Sequence, residues 1–77
     1  MPIVGSPIYE VEGRKYIDID GIRLKIPFKY GHISGLKVNG FKSVYELRQG
    51  DFIKSFEMAE KKWNGSVFYI LKSITVE

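Results

Sequence analysis

Cysteine is absent from this chain of 77 residues, and its single histidine is His32. Disulfide bonds are therefore excluded, and a zinc site made of Cys and His ligands cannot form within one chain. We expect neither a metal nor a cofactor. The sequence also lacks the basic start and apolar stretch of a signal peptide, and no apolar run is long enough to span a membrane. We expect a cytoplasmic protein with no membrane partner.

The length limits the chain to one small domain, residues 1–77, with a single core. A hydrophobic fraction of 44% with 27% charged residues is typical of a folded protein. Because so small a domain buries a modest share of its surface, packing or self-association must supply any extra stability. Asn and Gln are scarce beside many Ile, Lys, Glu and Tyr, which favours a thermophilic source.

Apolar and polar residues alternate over residues 15–26 on both sides of Asp20-Gly21. This pattern predicts a β-hairpin, because Asp and Gly tolerate the positive φ of a two-residue type I′ turn. One face of the hairpin is predicted to be apolar and to join the core: Ile17, Ile19, Ile22, Leu24 and Ile26. The other face is predicted to carry Tyr16, Asp18, Arg23 and Lys25.

Five further elements are predicted around this hairpin. Residues 7–12 form a preceding strand, and the alternation continues past Pro27 with Phe28 and Tyr30 inward. Residues 36–41 form a tight hairpin or loop, and the capping-box spacing of Ser43 and Glu46 predicts a short helix over 44–49. Strands over 51–58 and 67–76 follow, joined by residues 59–65. The last strand is apolar on both faces, which indicates cover on both sides, a bulge or a contact between chains.

This order of elements predicts a mainly β fold, a small five-stranded barrel with one short helix between strands 3 and 4. It resembles the OB-fold, a five-stranded barrel family that often binds oligonucleotides. An SH3-like barrel is the alternative. The resemblance covers most of the chain and implies single-stranded nucleic acid as the partner.

Constellations of catalytic residues are nearly missing. His32 and Ser34 lie in a glycine-flanked stretch without a distant orienting acid, so a loop histidine is the better interpretation. Asp18 is expected to face Arg23 or Lys25 across the hairpin, and Asp20 is explained by its turn. No glycine spacing matches a phosphate-binding loop. We therefore expect a binding protein and not an enzyme.

The basic residues are concentrated in one part of the sequence. The net charge is only +3, yet residues 21–45 contain cations and aromatics and no Asp or Glu. Cations neutralise phosphates and exposed rings stack on bases, so this window predicts single-stranded nucleic-acid binding with low sequence selectivity. The predicted phosphate contacts are Lys15, Arg23, Lys25, Lys37, Lys42, Lys61 and Lys62, and the predicted stacking residues are Tyr16, Phe41 and Trp63.

A second hypothesis comes from the apolar last strand. Such a strand also suits a protein-interaction or self-assembly module, for example a viral, phage or archaeal accessory protein. In that case the chain forms a homodimer through residues 67–76 and does not bind nucleic acid. A dimer and a basic groove are compatible with each other.

Overall fold

Eight strands and one 3₁₀ turn make up the computed structural model, which describes residues 1–40 and 43–76. The strands are β1 (Val4–Val11), β2 (Arg14–Ile19), β3 (Ile22–Lys25), β4 (Phe28–Lys29), β5 (His32–Ile33), β6 (Lys37–Asn39), β7 (Ser55–Trp63) and β8 (Ser66–Thr75). The prediction of a mainly β chain is confirmed. Within the described residues, no helix has the length and hydrophobicity that crossing a membrane requires.

The last strand, β8, is the centre of the main sheet. Strands β1, β2 and β3 form an antiparallel meander, and β3 then pairs with β8 in parallel. Strand β6 also pairs in parallel with β8, whereas β7 pairs with it in antiparallel fashion along its length. The sheet curls into an open half-barrel. An OB-like or SH3-like classification stays a prediction.

The predicted hairpin is confirmed and supplies much of the core. Ile17 lies opposite Leu24, and both are fully buried, as are Ile19 and Ile26. Asp20 and Gly21 both have positive φ, at 53° and 76°, which a type I′ turn requires. The Asp20 carboxylate also accepts a hydrogen bond of 2.9 Å from the backbone N–H of Ile3, so this turn holds the start of β1.

A β-bulge explains why β8 is apolar on both faces. Glu57 of β7 pairs with Ser73 and the next residue, Met58, pairs with Leu71, which leaves Lys72 as an extra residue in β8. An extra residue shifts the alternation by one, so Leu71 and Ile74 can both point into the core. Of the three explanations offered by the sequence, the bulge is the one that the structure shows.

The predicted inward positions after Pro27 are wrong. Phe28 is 37% exposed and Tyr30 is 87% exposed, although Ile26 is buried as predicted. Proline lacks the N–H that a continuing sheet strand needs. The chain therefore leaves the main sheet, and β4 forms a small separate hairpin with β5.

The predicted helix over 44–49 is a 3₁₀ turn of three residues, Val44–Glu46. The Ser43 hydroxyl accepts a hydrogen bond of 3.2 Å from the N–H of Tyr45, so the predicted cap residue is correct. The turn ends because Leu47 is extended, which brings Val44 and Leu47 together into the core. Residues 37–39 form β6 beside β8 and not a hairpin.

The connection between the last two strands is shorter than predicted. Strand β7 continues to Trp63, and only Asn64 and Gly65, both at positive φ, form the turn. Lys61, Lys62 and Trp63 therefore lie on a strand and not in a loop. Because β7 covers one edge of β8 and β3 and β6 cover the other, β8 has no free edge along its paired residues for a homodimer.

Candidate nucleic-acid interface

A cleft of about 320 Å³ opens on the face of the sheet that points away from the core, here called the outer face. Five side chains line this cleft, which we call the aromatic cleft: Arg14, Tyr16, Lys25, Trp63 and Phe68. Three of them carry aromatic rings and two carry positive charge. No carboxylate is among these described residues, so the cleft combines ring surface with positive charge.

The alternation of four strands places these five side chains together. Tyr16 of β2 lies opposite Lys25 of β3, and Arg14 precedes Tyr16 by two residues, which puts all three on one face. Phe68 shares that face because Lys25 pairs with Ile70, two residues further along β8. Trp63 ends β7 opposite Ser66 and thereby joins Phe68.

A stack of two tyrosines and an arginine borders the cleft. The ring centroids of Tyr9 and Tyr16 are 5.8 Å apart, and the Arg23 guanidinium carbon lies 3.8 Å from the Tyr16 centroid. Such a cation–π contact desolvates part of the guanidinium while leaving its charge on the outer face. Arg23 thus has a fixed position beside the cleft.

Asp18 anchors the far side of this stack. Its Oδ1 accepts a hydrogen bond of 2.7 Å from the hydroxyl of Tyr9. Burial, and then this hydrogen bond, raise the pKa of Tyr9 above its ordinary value of 10.0. Asp18 does pair in register with Arg23, as predicted, but the guanidinium lies over Tyr16.

A second depression of about 410 Å³ adjoins the aromatic cleft and shares Arg14 and Lys25 with it. We call it the basic depression, since it adds Lys15 and Lys29 to the shared cations, and no carboxylate occurs among the described residues that line it. The Lys15 ammonium lies 5.3 Å from the centroid of the Phe28 ring. The two hollows together present four cations and four aromatic rings.

Three of the ten predicted contact residues meet in the aromatic cleft: Tyr16, Lys25 and Trp63. Three others are close to it. Arg23 stacks on Tyr16, Lys15 lines the basic depression, and Lys61 lies opposite Phe68 on the outer face.

Two of the remaining four predicted contacts, Lys37 and Lys62, lie away from the cleft. Lys37 lies on β6 opposite Ser73 and lines neither hollow. Lys62 lies opposite Val67, so by the alternation of β7 it points to the other side of the sheet from Trp63. The other two, Phe41 and Lys42, lie outside the described residues.

Sequence reasoning missed Arg14, Phe28, Lys29 and Phe68. Arg14 had a usable signal, because it stands two residues before Tyr16 on a predicted strand. An alternation that continues past Pro27 predicts Phe28 in the core, whereas Phe28 lines the basic depression. The face that carries Phe68 was not predictable, because the bulge at Lys72 reverses the alternation of β8 and the sequence does not reveal where that reversal occurs.

The described residues do not bring the other candidate side chains, His32 and Asp20, into a catalytic or metal-binding arrangement. Within residues 1–40 and 43–76, no group of three or more His, Cys, Asp or Glu side chains could hold a metal ion. His32 is an exposed residue of β5, paired with Lys29. Asp20 is engaged by the backbone of Ile3.

In the described part of the chain, the outer face is therefore the surface that combines aromatic rings with positive charge. It offers rings for stacking and cations for anionic groups, an arrangement that suits binding. Comparisons of the chain with protein-family models, with curated proteins and with solved structures find no match.

Proposed function

We propose that this chain binds single-stranded nucleic acid on its outer face, with low sequence selectivity. The observation that supports this proposal is the aromatic cleft, where Tyr16, Trp63 and Phe68 stand beside Arg14 and Lys25 without a carboxylate. Nucleobases stack on aromatic rings and phosphates seek cations, so one site of this kind engages both parts of a nucleotide. The curled, open sheet is compatible with an OB-like binding module.

Trp63 is the principal stacking residue in this proposal. Its side chain is 68% exposed, whereas Tyr16 is half-buried and already has Arg23 on its ring. Phe68 is also half-buried and lies 5.7 Å from the Lys25 ammonium. Trp63 thus has the largest free ring surface of the three, and a large exposed ring at the end of a strand has little packing role.

The charges extend the proposed path beyond the cleft. Arg14 and Lys25 belong to both hollows, so a strand whose base stacks on Trp63 passes them before it reaches Lys15 and Lys29. Single-strand binders track the backbone along such positive grooves. Among the described residues neither lining contains Asn, Gln, Asp or Glu, and the rings and cations that do line the hollows suit base faces and phosphates, so we expect weak discrimination among bases.

The single tryptophan of the chain allows a direct test. We expect unstructured homopolymers such as oligo(dT) or oligo(U) to quench the fluorescence of Trp63 as the base stacks on it. In anisotropy titrations with a labelled oligonucleotide, Trp63→Ala is expected to weaken binding about 5- to 150-fold, the equivalent of about 1–3 kcal/mol per stacked base. Parallel DNA and RNA titrations identify the preferred backbone.

Tyr45→Ala is the matched control. Tyr45 is also an exposed aromatic residue, but it belongs to the 3₁₀ turn and lines neither the aromatic cleft nor the basic depression. Its replacement is expected to leave the dissociation constant unchanged. No binding at low salt, or equal losses for Trp63→Ala and Tyr45→Ala, contradicts the proposal.

A further inference from the structure

Strand β7 is an unpaired edge of unusual length for so small a sheet. It extends for nine residues, from Ser55 to Trp63, and among the described strands it pairs with β8 alone. Its sequence contains no proline, and most of its side chains are exposed. An edge of this kind presents a row of free backbone N–H and C=O groups to any strand that can align with it.

The charges along β7 are complementary to those of a second copy. In an antiparallel pairing of β7 with itself centred on Ala59, Glu57 of each copy lies directly opposite Lys61 of the other. Opposite charges in such positions favour pairing. Glu57, Ala59 and Lys61 all lie on one face of the strand, so the register also keeps the two outer faces on the same side.

Neighbouring registers are less favourable. Shifting the centre from Ala59 to Glu60 puts the two Glu60 carboxylates opposite each other, which is repulsive. Shifting the centre to Met58 places Glu57 opposite Ala59 and so loses both ion pairs. The charge pattern therefore favours the register centred on Ala59 over its neighbours, as a specific contact requires.

From this complementarity we infer that β7 pairs with β7 of a second copy, giving a symmetric dimer with one continuous sheet. The two-fold axis runs through the sheet beside Ala59, and Trp63 of each copy lies near Ser55 of the other. The two Trp63 positions are then roughly 26 Å apart along the strand direction. Both aromatic clefts open on the same side of the dimer.

Charge reversal tests the inference in the absence of nucleic acid, so its result is independent of the proposed function. Sedimentation velocity and equilibrium experiments on the full chain are expected to show a reversible monomer–dimer equilibrium. Glu57→Lys or Lys61→Glu alone places two like-charge pairs in the interface and is expected to weaken association at least about tenfold. Combining the two substitutions restores both pairs with reversed sign and is expected to restore dimerisation.

Glu12→Lys is the matched control for Glu57→Lys, because it changes the net charge by the same amount. Glu12 is an exposed residue of the β1–β2 turn. This substitution is expected to leave the equilibrium unchanged. Circular dichroism of each variant verifies that the β fold is intact. A strict monomer at high concentration overturns the inference, as does a combined variant that stays as weak as the single ones.

Discussion

Removal of one lysine from the cleft should change how steeply binding depends on salt. The aromatic cleft and the basic depression together present four cations, Arg14, Lys15, Lys25 and Lys29. Each phosphate neutralised on a single strand contributes about −0.7 to the slope of log affinity against log salt, so four contacts predict a slope of about −2.8. Affinity then falls about 50-fold between about 50 and 200 mM salt.

Lys25→Ala is the most informative change, because Lys25 belongs to both hollows. We expect the slope to become about −2.1, with affinity falling only about 20-fold over the same salt range. Anisotropy titrations of a labelled oligo(dT) at four or more salt concentrations measure both slopes. The loss of affinity at low salt should be larger than at high salt, since the missing contact is electrostatic.

The control for this experiment is Lys37→Ala, which lowers the net charge by the same amount. Lys37 is exposed, lies on β6 opposite Ser73, and lines neither the aromatic cleft nor the basic depression. Its replacement is expected to leave the slope at about −2.8. If both lysine variants change the slope equally, binding depends on the overall charge, and a localised site on the outer face is refuted.

Two further predictions concern the stability of the fold. Gly40→Ala is expected to lower the free energy of unfolding by about 2 kcal/mol or more, because φ at Gly40 is +124° and a Cβ there would collide with the carbonyl of Val76. Gly35→Ala is the control, since Gly35 has positive φ but open space around it, and it should lower the free energy of unfolding by only about 1 kcal/mol. Urea unfolding followed by circular dichroism measures the difference, and equal losses would contradict the packing argument. Tyr9→Phe removes the hydrogen bond to Asp18 and should cost roughly 1 kcal/mol at neutral pH. The folded-state pKa of Tyr9 is raised above 10.0. The stability that the Tyr9 hydroxyl contributes is therefore fully present below pH 10.0 and is lost as the pH rises through the folded-state pKa. The stability of the variant should therefore fall less steeply in alkaline urea titrations, and parallel pH curves would contradict this assignment.

Local patterns in the sequence predict the parts of the fold that form between neighbouring residues. The hairpin around Asp20 and Gly21 was predictable because two-residue turns and period-two alternation are both local signals. Its buried face, including Ile17 and Leu24, follows from the same alternation. Tyr16 and Lys25 were predicted to point outward for this reason, and they line the cleft.

Contacts between distant segments were not predictable in the same way. The parallel pairing of Leu24 with Tyr69 joins residues far apart in sequence, and no turn or spacing encodes it. The position of Phe28 after Pro27 depends on its pairing with β5, a two-residue strand without a pattern of its own. Tertiary context, and not local propensity, determines these positions.

The bulge at Lys72 shows why the core and the candidate site have to be considered together. A regular β8 that buries Ile74 and Val76 would also bury Phe68 and Ile70, because all four residues share one phase. The extra residue reverses the phase, so the second half of β8 packs against the core while Phe68 turns to the outer face beside Trp63. The same irregularity that completes the core therefore supplies one ring of the cleft. Any variant that shifts the β7–β8 register should be expected to affect both stability and binding.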